Sequence, residues 1–293
     1  MIENIKIIEK LEKIDNLPTI AAVISKLNEA MANKNAGAKE LADIISDDPS
    51  IMTRVLKLVK TSYYAPATGK EISSVQLAIT RLGFPVLKNI VLTTSVFTAF
   101  KNTKYKLFDP NEFWRHTIST GFASTVINKY AKIAEENKKV SEDLLHISGL
   151  LHDIGKIILQ EYFPEEFEKS LELSQEKMMP LYQAETEIMG ANHADIGGWL
   201  ARKWGLDKEL IDVIELHHYP TKVQGDLKPL ISLVHIADYI CNYKKIGFSG
   251  NFAAPVYSSK IWNYLNLSIE EIPKIVEDVE KEFQHSQVLL SLL

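Results

Sequence analysis

The chain is poor in the residues that build cross-linked or turn-rich proteins. It has one cysteine, Cys241, in 293 residues, so no disulfide can form within it, and a reducing compartment is expected. Its 13 glycines and 11 prolines make about 8% of the chain, against about 12% in average usage. That disfavours collagen-like, linker-rich and turn-dense β architectures. Long apolar runs are missing as well. The longest, Ile90 to Phe100, covers 11 residues between Lys88 and Lys101, whereas a membrane span needs roughly 20. The first residues (MIENIKIIEK) mix acid and base without an apolar segment, so no signal peptide is expected. There is no basic excess either: 33 Lys and Arg stand against 38 Asp and Glu, a net charge of −5. That argues against a nucleic-acid or membrane partner. The expectation is a soluble, cytoplasmic protein.

What is present is a globular composition, 46% hydrophobic and 24% charged, with a helical period. In Ile5–Leu27 and Leu41–Val59 apolar residues recur three and four apart. Asp48-Pro49 and Asp109-Pro110 each pair a capping residue with proline at the first helical position. Ser141-Glu142-Asp143 and Ser268-Ile269-Glu270-Glu271 place acids in a first turn. Gly83, Gly205 and Pro220 follow apolar runs as stops. No alternating strand pattern or hairpin turn stands out. The spacing predicts an all-α fold: an N-terminal helical subdomain over 1–108 and a second helical subdomain over 109–293. The polar stretch Lys101–Pro110 marks their boundary.

All eight histidines lie after residue 108. The segment LLHISGLLHDIGKIILQEYF, Leu144 to Phe163, is apolar nearly all round and reads as one buried helix with His152 and Asp153 in its middle. A carboxylate buried there must be paired, hydrogen-bonded or bound to a cation. Asp can bridge two cations, and His supplies a neutral nitrogen. Lys156, three residues on, suits either an ion pair with Asp153 or a substrate phosphate. His116, His193, His217, His218 and Asp238 each lie on or beside a predicted helix, so several helices can project ligands into a common core. This candidate set, with His152 and Asp153, mixes nitrogen and oxygen donors. It suits one or two divalent transition-metal ions (Fe, Mn, Zn, Ni or Co) better than calcium. His146 and His235 read as histidines supporting neighbouring ligands or satisfied within the core, His285 as a surface residue, and Cys241 and Trp114 as packing.

His116, His152, Asp153 and Asp238 resemble the conserved positions of the HD superfamily of metal-dependent phosphohydrolases. His193, His217 and His218 look like the extra ligands of its two-metal HD-GYP branch. Tyr219-Pro220 follows where that branch has a glutamate and later Gly-Tyr-Pro, so cyclic-dinucleotide hydrolysis is not implied. A closer resemblance, over about 14–220, is to the HDOD family, an HD-related output domain of bacterial signalling proteins. It rests on Leu17-Pro18-Thr19-Ile20, ELADIISDDPSIMTRVLKLVKTSYY (40–64), ISSVQLAITRLGFPVLKNIVL (72–92), SGLLHDIGKIIL (148–159) and HADIGGWLARKWGLDKELIDVIELHHYP (193–220). The resemblance implies an all-α HD-like domain and a regulatory role through contacts with a signalling protein; an oligomer stays open. The ligand series keeps a metal-dependent phosphohydrolase, a phosphomono- or diesterase, as the alternative, with Asp153 and Lys156 as its catalytic residues.

Overall fold

The structure, a computed structural model, describes residues 5–13, 26–27, 29–30, 37–60, 72–99, 107–133 and 140–285. Among these residues it is all-α, with no β-strand, and no helix is long and apolar enough to cross a membrane. The chain forms two compact units: one from the described parts of Met1–Asp15, Asn102–Arg202 and Leu206–Lys281, the other from those of Asn16–Lys101, Lys203–Gly205 and Glu282–Leu293. Part of the expected boundary, residues 101–106, lies outside the described residues, as do Leu17–Ile20 and residues 134–139. The side chain of His285 is likewise outside what is described.

Helix α1 (Ile5–Glu12) is grouped with the later helices. Its Lys10 pairs with Glu166 at 2.8 Å and lies over the Phe163 ring. Helices α2 (Ala38–Ser46), α3 (Pro49–Val59), α4 (Val75–Leu82) and α5 (Phe84–Ala99) make the other unit. Leu41, Ile45, Val55, Leu58 and Val59 are buried there, as the three-four spacing requires. Asp48 accepts from Ile51 N–H and Ser74 from Leu77 N–H, which satisfies donors left open at two helix starts. Gly83, between α4 and α5, has φ +83°, a conformation that costs other residues roughly 1 kcal/mol or more.

The larger unit continues with α6 (Pro110–Tyr130), α7 (Glu142–Leu151), α8 (Gly155–Tyr162), α9 (Pro164–Lys177), α10 (Leu181–Met189), α11 (His193–Lys203), α12 (Lys208–Leu216), α13 (Lys228–Tyr243), α14 (Ser259–Tyr264) and α15 (Ile272–His285), except for Lys203 and the last residues of α15 from Glu282, which group with the other unit. Helix α6 packs most extensively on α7 and α13. Their shared core includes Val126, Ile127, Leu145, Ile236 and Ile240, with Cys241 fully buried beside them. Helices α6 and α7 meet at two glycines. A Cβ on Gly149 would stand 2.7 Å from Gly121 Cα and from Thr120 O, so only hydrogen fits.

Leu144–Phe163 is not one helix. It is two, α7 and α8, with His152, Asp153 and Ile154 in the turn between them. The apolar period runs through this break because both helices are buried. The backbone tightens to three-residue hydrogen bonds, Ile154 N–H to Leu151 O and Lys156 N–H to Asp153 O. The His152 ring adds a bond from Nδ1 to Gly149 O at 2.6 Å. The turn lets Gly155 approach α11 closely, since a Cβ there would stand 1.9 Å from His193 O. A continuous helix would not bring those backbones together at this point.

Candidate metal centre

Most of the candidate residues sit at helix ends rather than helix middles. Asp153 is in the α7–α8 turn, His193 is the first residue of α11, and His217 caps the end of α12, with His218 next in the turn. His116 and Asp238 lie within α6 and α13. The structure brings all seven candidates into two groups that share Asp153. One is Asp153, His193, His217 and His218; the other is His116, His152, Asp153 and Asp238. Within each group the donor atoms lie within 4.8 Å of one another.

The two oxygens of Asp153 face different groups. Oδ1 is 3.1 Å from His193 Nε2 and 3.6 Å from His217 Nε2. Oδ2 is 3.3 Å from His152 Nε2 and 2.5 Å from Lys156 Nζ. Asp238 Oδ1 is 3.0 Å from His116 Nε2 and 3.6 Å from His152 Nε2. His218 Nε2 is 2.8 Å from His193 Nε2. Two donors about 2.1 Å from one cation lie about 3.0 Å apart at a right angle and about 3.4 Å apart at a tetrahedral angle. The observed separations span those values.

Hydrogen bonding from outside sets the direction of the ring nitrogens. His152 Nδ1 bonds Gly149 O, His217 Nδ1 bonds Ile214 O at 2.9 Å, and His193 Nδ1 bonds Glu185 Oε2 at 2.6 Å. With Nδ1 hydrogen-bonded outward, each Nε2 is aimed inward, where in the neutral ring it carries the lone pair, the arrangement found around metal-ligating imidazoles. His152 Nε2, His217 Nε2 and Asp153 Oδ1 are buried and have no hydrogen-bond partner among the described residues. Orphaned acceptors in such a place are costly unless a cation satisfies them. The donor set therefore fits divalent cations, and Asp153 belongs to both groups that could hold one.

Electrostatics point the same way. Burial alone raises the Asp153 carboxyl, but His152, Lys156 and His193 more than reverse that and hold it well below the ordinary range. Asp238 is likewise held well down, burial being outweighed by His116 and His152. Burial pulls His152 down, but Asp153 and Asp238 raise it overall. Burial lowers His217 to about 4, and burial with the neighbouring His217 and His193 lowers His218 well below the usual value. The buried Asp153 and the partly buried Asp238 thus call for positive charge; His217 and His218 are held neutral as a ligand must be, while the carboxylates facing His152 and His193 favour their protonated forms when no cation is present.

Lys156 is fully buried with its ammonium on Asp153, the ion-pair geometry expected from its spacing. His146 is buried against Phe122, away from the donor groups. His235 supports its neighbour, with Nδ1 on His217 O at 2.8 Å.

Several supporting residues escape the sequence reading. Glu185 holds His193 from α10; its position on the buried face with Leu181, Ala184 and Met189 was the available signal. Asn242 donates to Asp238 Oδ1 at 2.6 Å and accepts from Ser249, which accepts from Asn251. Asn251 in turn accepts from Leu181 N–H at the start of α10. No local pattern announces this chain of side-chain bonds. Tyr182 stacks on His218, with ring centroids 4.3 Å apart. Asp238 and His218, one from each donor group, also line a cavity of about 310 Å³, so the centre meets open space on that side.

The chain is similar to known proteins over most of its length. The sequence profile of the HDOD domain matches residues 17–220. A Treponema pallidum (strain Nichols) protein, named only as uncharacterised, is 25% identical over 227 residues, 78% of this chain. The match spans 42% of that relative's length. An HDOD domain protein of unknown function from Geobacter sulfurreducens superposes with a TM-score of 0.70 at 22% identity, over 98% of this chain and 95% of its own. A candidate phosphohydrolase from Shewanella amazonensis SB2B gives 0.73 at 20% identity over 100% of both chains. A candidate signal transduction protein from Marinobacter aquaeolei VT8 gives 0.70 at 21%, over 94% of this chain and 59% of its own. At these identities the structural likeness is one of fold.

Proposed function

The chain belongs to the HDOD family, and from that premise we propose that it is a metal-binding regulatory protein of bacterial signalling, working in the cytoplasm through contacts with another signalling protein. The observation that carries the metal part is the convergence of seven donors on two sites sharing Asp153, with ring nitrogens aimed inward and orphaned buried acceptors. The signalling part rests on the family and on the relative named for signal transduction. The nitrogen-rich donor set favours a transition metal among Fe, Mn, Zn, Ni and Co. Elemental analysis of protein purified without added metal tests this reading. The expected result is one to two equivalents of a transition metal in the wild type and a large loss in Asp153→Ala. A metal-free wild type that takes up none on titration would sink it.

A second reading, a metal-dependent phosphohydrolase, is favoured by one observation: residues of both donor groups line the same cavity. Cations held there would supply Lewis-acid charge to a phosphoryl oxygen. The protein's own part is positional. Glu185 and the Gly149 and Ile214 carbonyls fix the imidazoles, Lys156 fixes the Asp153 carboxylate, and Asn242 fixes Asp238. Metal-dependent turnover of a phosphoester, lost in Asp153→Ala with the fold kept, would establish it. An inactive substrate panel, beside a partner captured equally by wild type and variant, would favour the adaptor role.

A further inference from the structure

Acidic residues stop for a long stretch after Asp238. From Tyr239 to Ile269 the chain has no aspartate or glutamate, although 38 in 293 residues would put about four in a stretch of this length. The stretch holds three lysines, Lys244, Lys245 and Lys260. All three are exposed, and none has an ion-pair partner among the described residues. A chain of net charge −5 thus carries a local positive surface. Apolar surface collects at the same place. Tyr243, Val256 and Tyr257 are 57%, 68% and 48% exposed, three of the six large hydrophobic residues that are exposed among those described. The two tyrosines flank the half-buried Tyr239, whose ring centroid is 6.0 Å from that of Tyr243 and 6.1 Å from that of Tyr257. The buried Trp262 stacks on Tyr257 at 5.7 Å and anchors the loop between α13 and α14. Lys244 Nζ lies 5.6 Å from the Tyr243 ring centroid, so charge and aromatic surface adjoin.

Clustered apolar surface rimmed by polar groups marks interaction sites, and tyrosine is prominent among the residues that dominate binding. Charge complementarity names the occupant. We infer that the end of α13, the following loop and the start of α14 dock an acidic segment of another protein. Its apolar or aromatic side chain sits among Tyr239, Tyr243 and Tyr257, and its carboxylates face the three lysines. This names the contact surface for the adaptor role proposed above and rests on that reading. A nucleic acid fits less well, because its binding draws on many cationic contacts along the backbone, whereas 239–269 offers three lysines and no arginine. Tyr239 and Val256 also line the cavity that Asp238 and His218 line, so a docked segment borders the metal centre.

Peptide selection tests it with defined probes. Random short peptides displayed on phage are selected on the immobilised full chain. The expected result is enrichment of peptides with net negative charge and at least one aromatic or large aliphatic residue. One enriched peptide is then synthesised with a fluorophore and titrated with the protein. Lys244→Glu with Lys260→Glu, and Tyr243→Ser with Tyr257→Ser, should each weaken binding about tenfold or more. Both pairs lie on exposed positions, so circular dichroism and metal content should match the wild type. Lys169→Glu, an exposed change on α9, should leave binding unchanged. Enriched peptides that are neutral or basic, or that bind both double variants as tightly as the wild type, overturn this surface and leave the adaptor reading standing. Tighter binding of a single-stranded oligonucleotide or of phosphatidylserine vesicles, lost in the same variants, assigns the face to a polyanion and overturns it too. So does a dimer in sedimentation that the tyrosine variant dissolves, which assigns the face to a second copy. If no peptide is enriched, the surface fails; if the wild type also captures no partner from cells, the adaptor reading fails with it.

Discussion

Glu185 and His193 are joined twice. Oε2 of the buried carboxylate accepts from the His193 backbone N–H at 2.8 Å and from its ring Nδ1 at 2.6 Å. One residue on α10 therefore fixes both the start of α11 and the direction in which His193 Nε2 points. Replacing such an outer partner of a ligating imidazole costs about 10–100-fold in metal affinity. Glu185→Gln should do so while the helices persist, measured by competition with a chromophoric chelator and by circular dichroism. Unchanged affinity would remove Glu185 from the site.

Gly155→Ala should act on metal and fold together. Its Cβ would stand 1.9 Å from His193 O and 2.7 Å from Gly197 N, both backbone atoms. Overpacking of this kind costs about 1–3 kcal/mol or more, and relieving it moves His193. A lowered denaturant midpoint with reduced metal content is expected. Full metal content at normal stability would show that the contact yields easily.

Removal of metal should destabilise the protein. A cation bound to the native state at 100 times its dissociation constant adds about 2.7 kcal/mol. A chelator should lower the melting temperature of the wild type and excess metal should restore it. Asp153→Asn, which removes charge from both donor groups, should show little response to either. Identical melting curves for wild type and variant across these conditions would contradict the shared role of Asp153.

Acid should weaken the fold through His146. Burial lowers its pKa from 6.5 to about 4. Between those values the unfolded chain binds a proton that the folded chain does not, so stability falls as pH falls through the window. The whole shift corresponds to about 3 kcal/mol. Urea midpoints measured from pH 7 to pH 4 should fall less steeply in His146→Gln. Parallel slopes would assign the acid sensitivity elsewhere.

Much of this is legible in the sequence, for reasons that differ by residue. The donors can be listed because imidazoles and carboxylates in apolar helical surroundings are chemically conspicuous. The helix starts at Pro49, Pro110 and Glu142 follow from Asp48, Asp109 and Ser141, whose side chains make the expected caps. The break at His152–Ile154 is hidden because hydrophobicity reports burial, and both flanking helices are buried. Glu185 is hidden because its partner is a ring and an amide eight residues on. Asn242, Ser249 and Asn251 are joined by tertiary geometry alone, which no local pattern encodes.

His116 and Asp238 are in hydrogen-bond contact across 122 positions of the chain. At synthesis rates of 5–20 residues per second, His116 leaves the ribosome's catalytic centre about 6–24 s before Asp238 is made. During that interval the second donor group lacks one of its carboxylates, whatever the helices before it have done. Any ion held by the full set can therefore be taken up only once Asp238 has been made, whichever ions the earlier donors have already met.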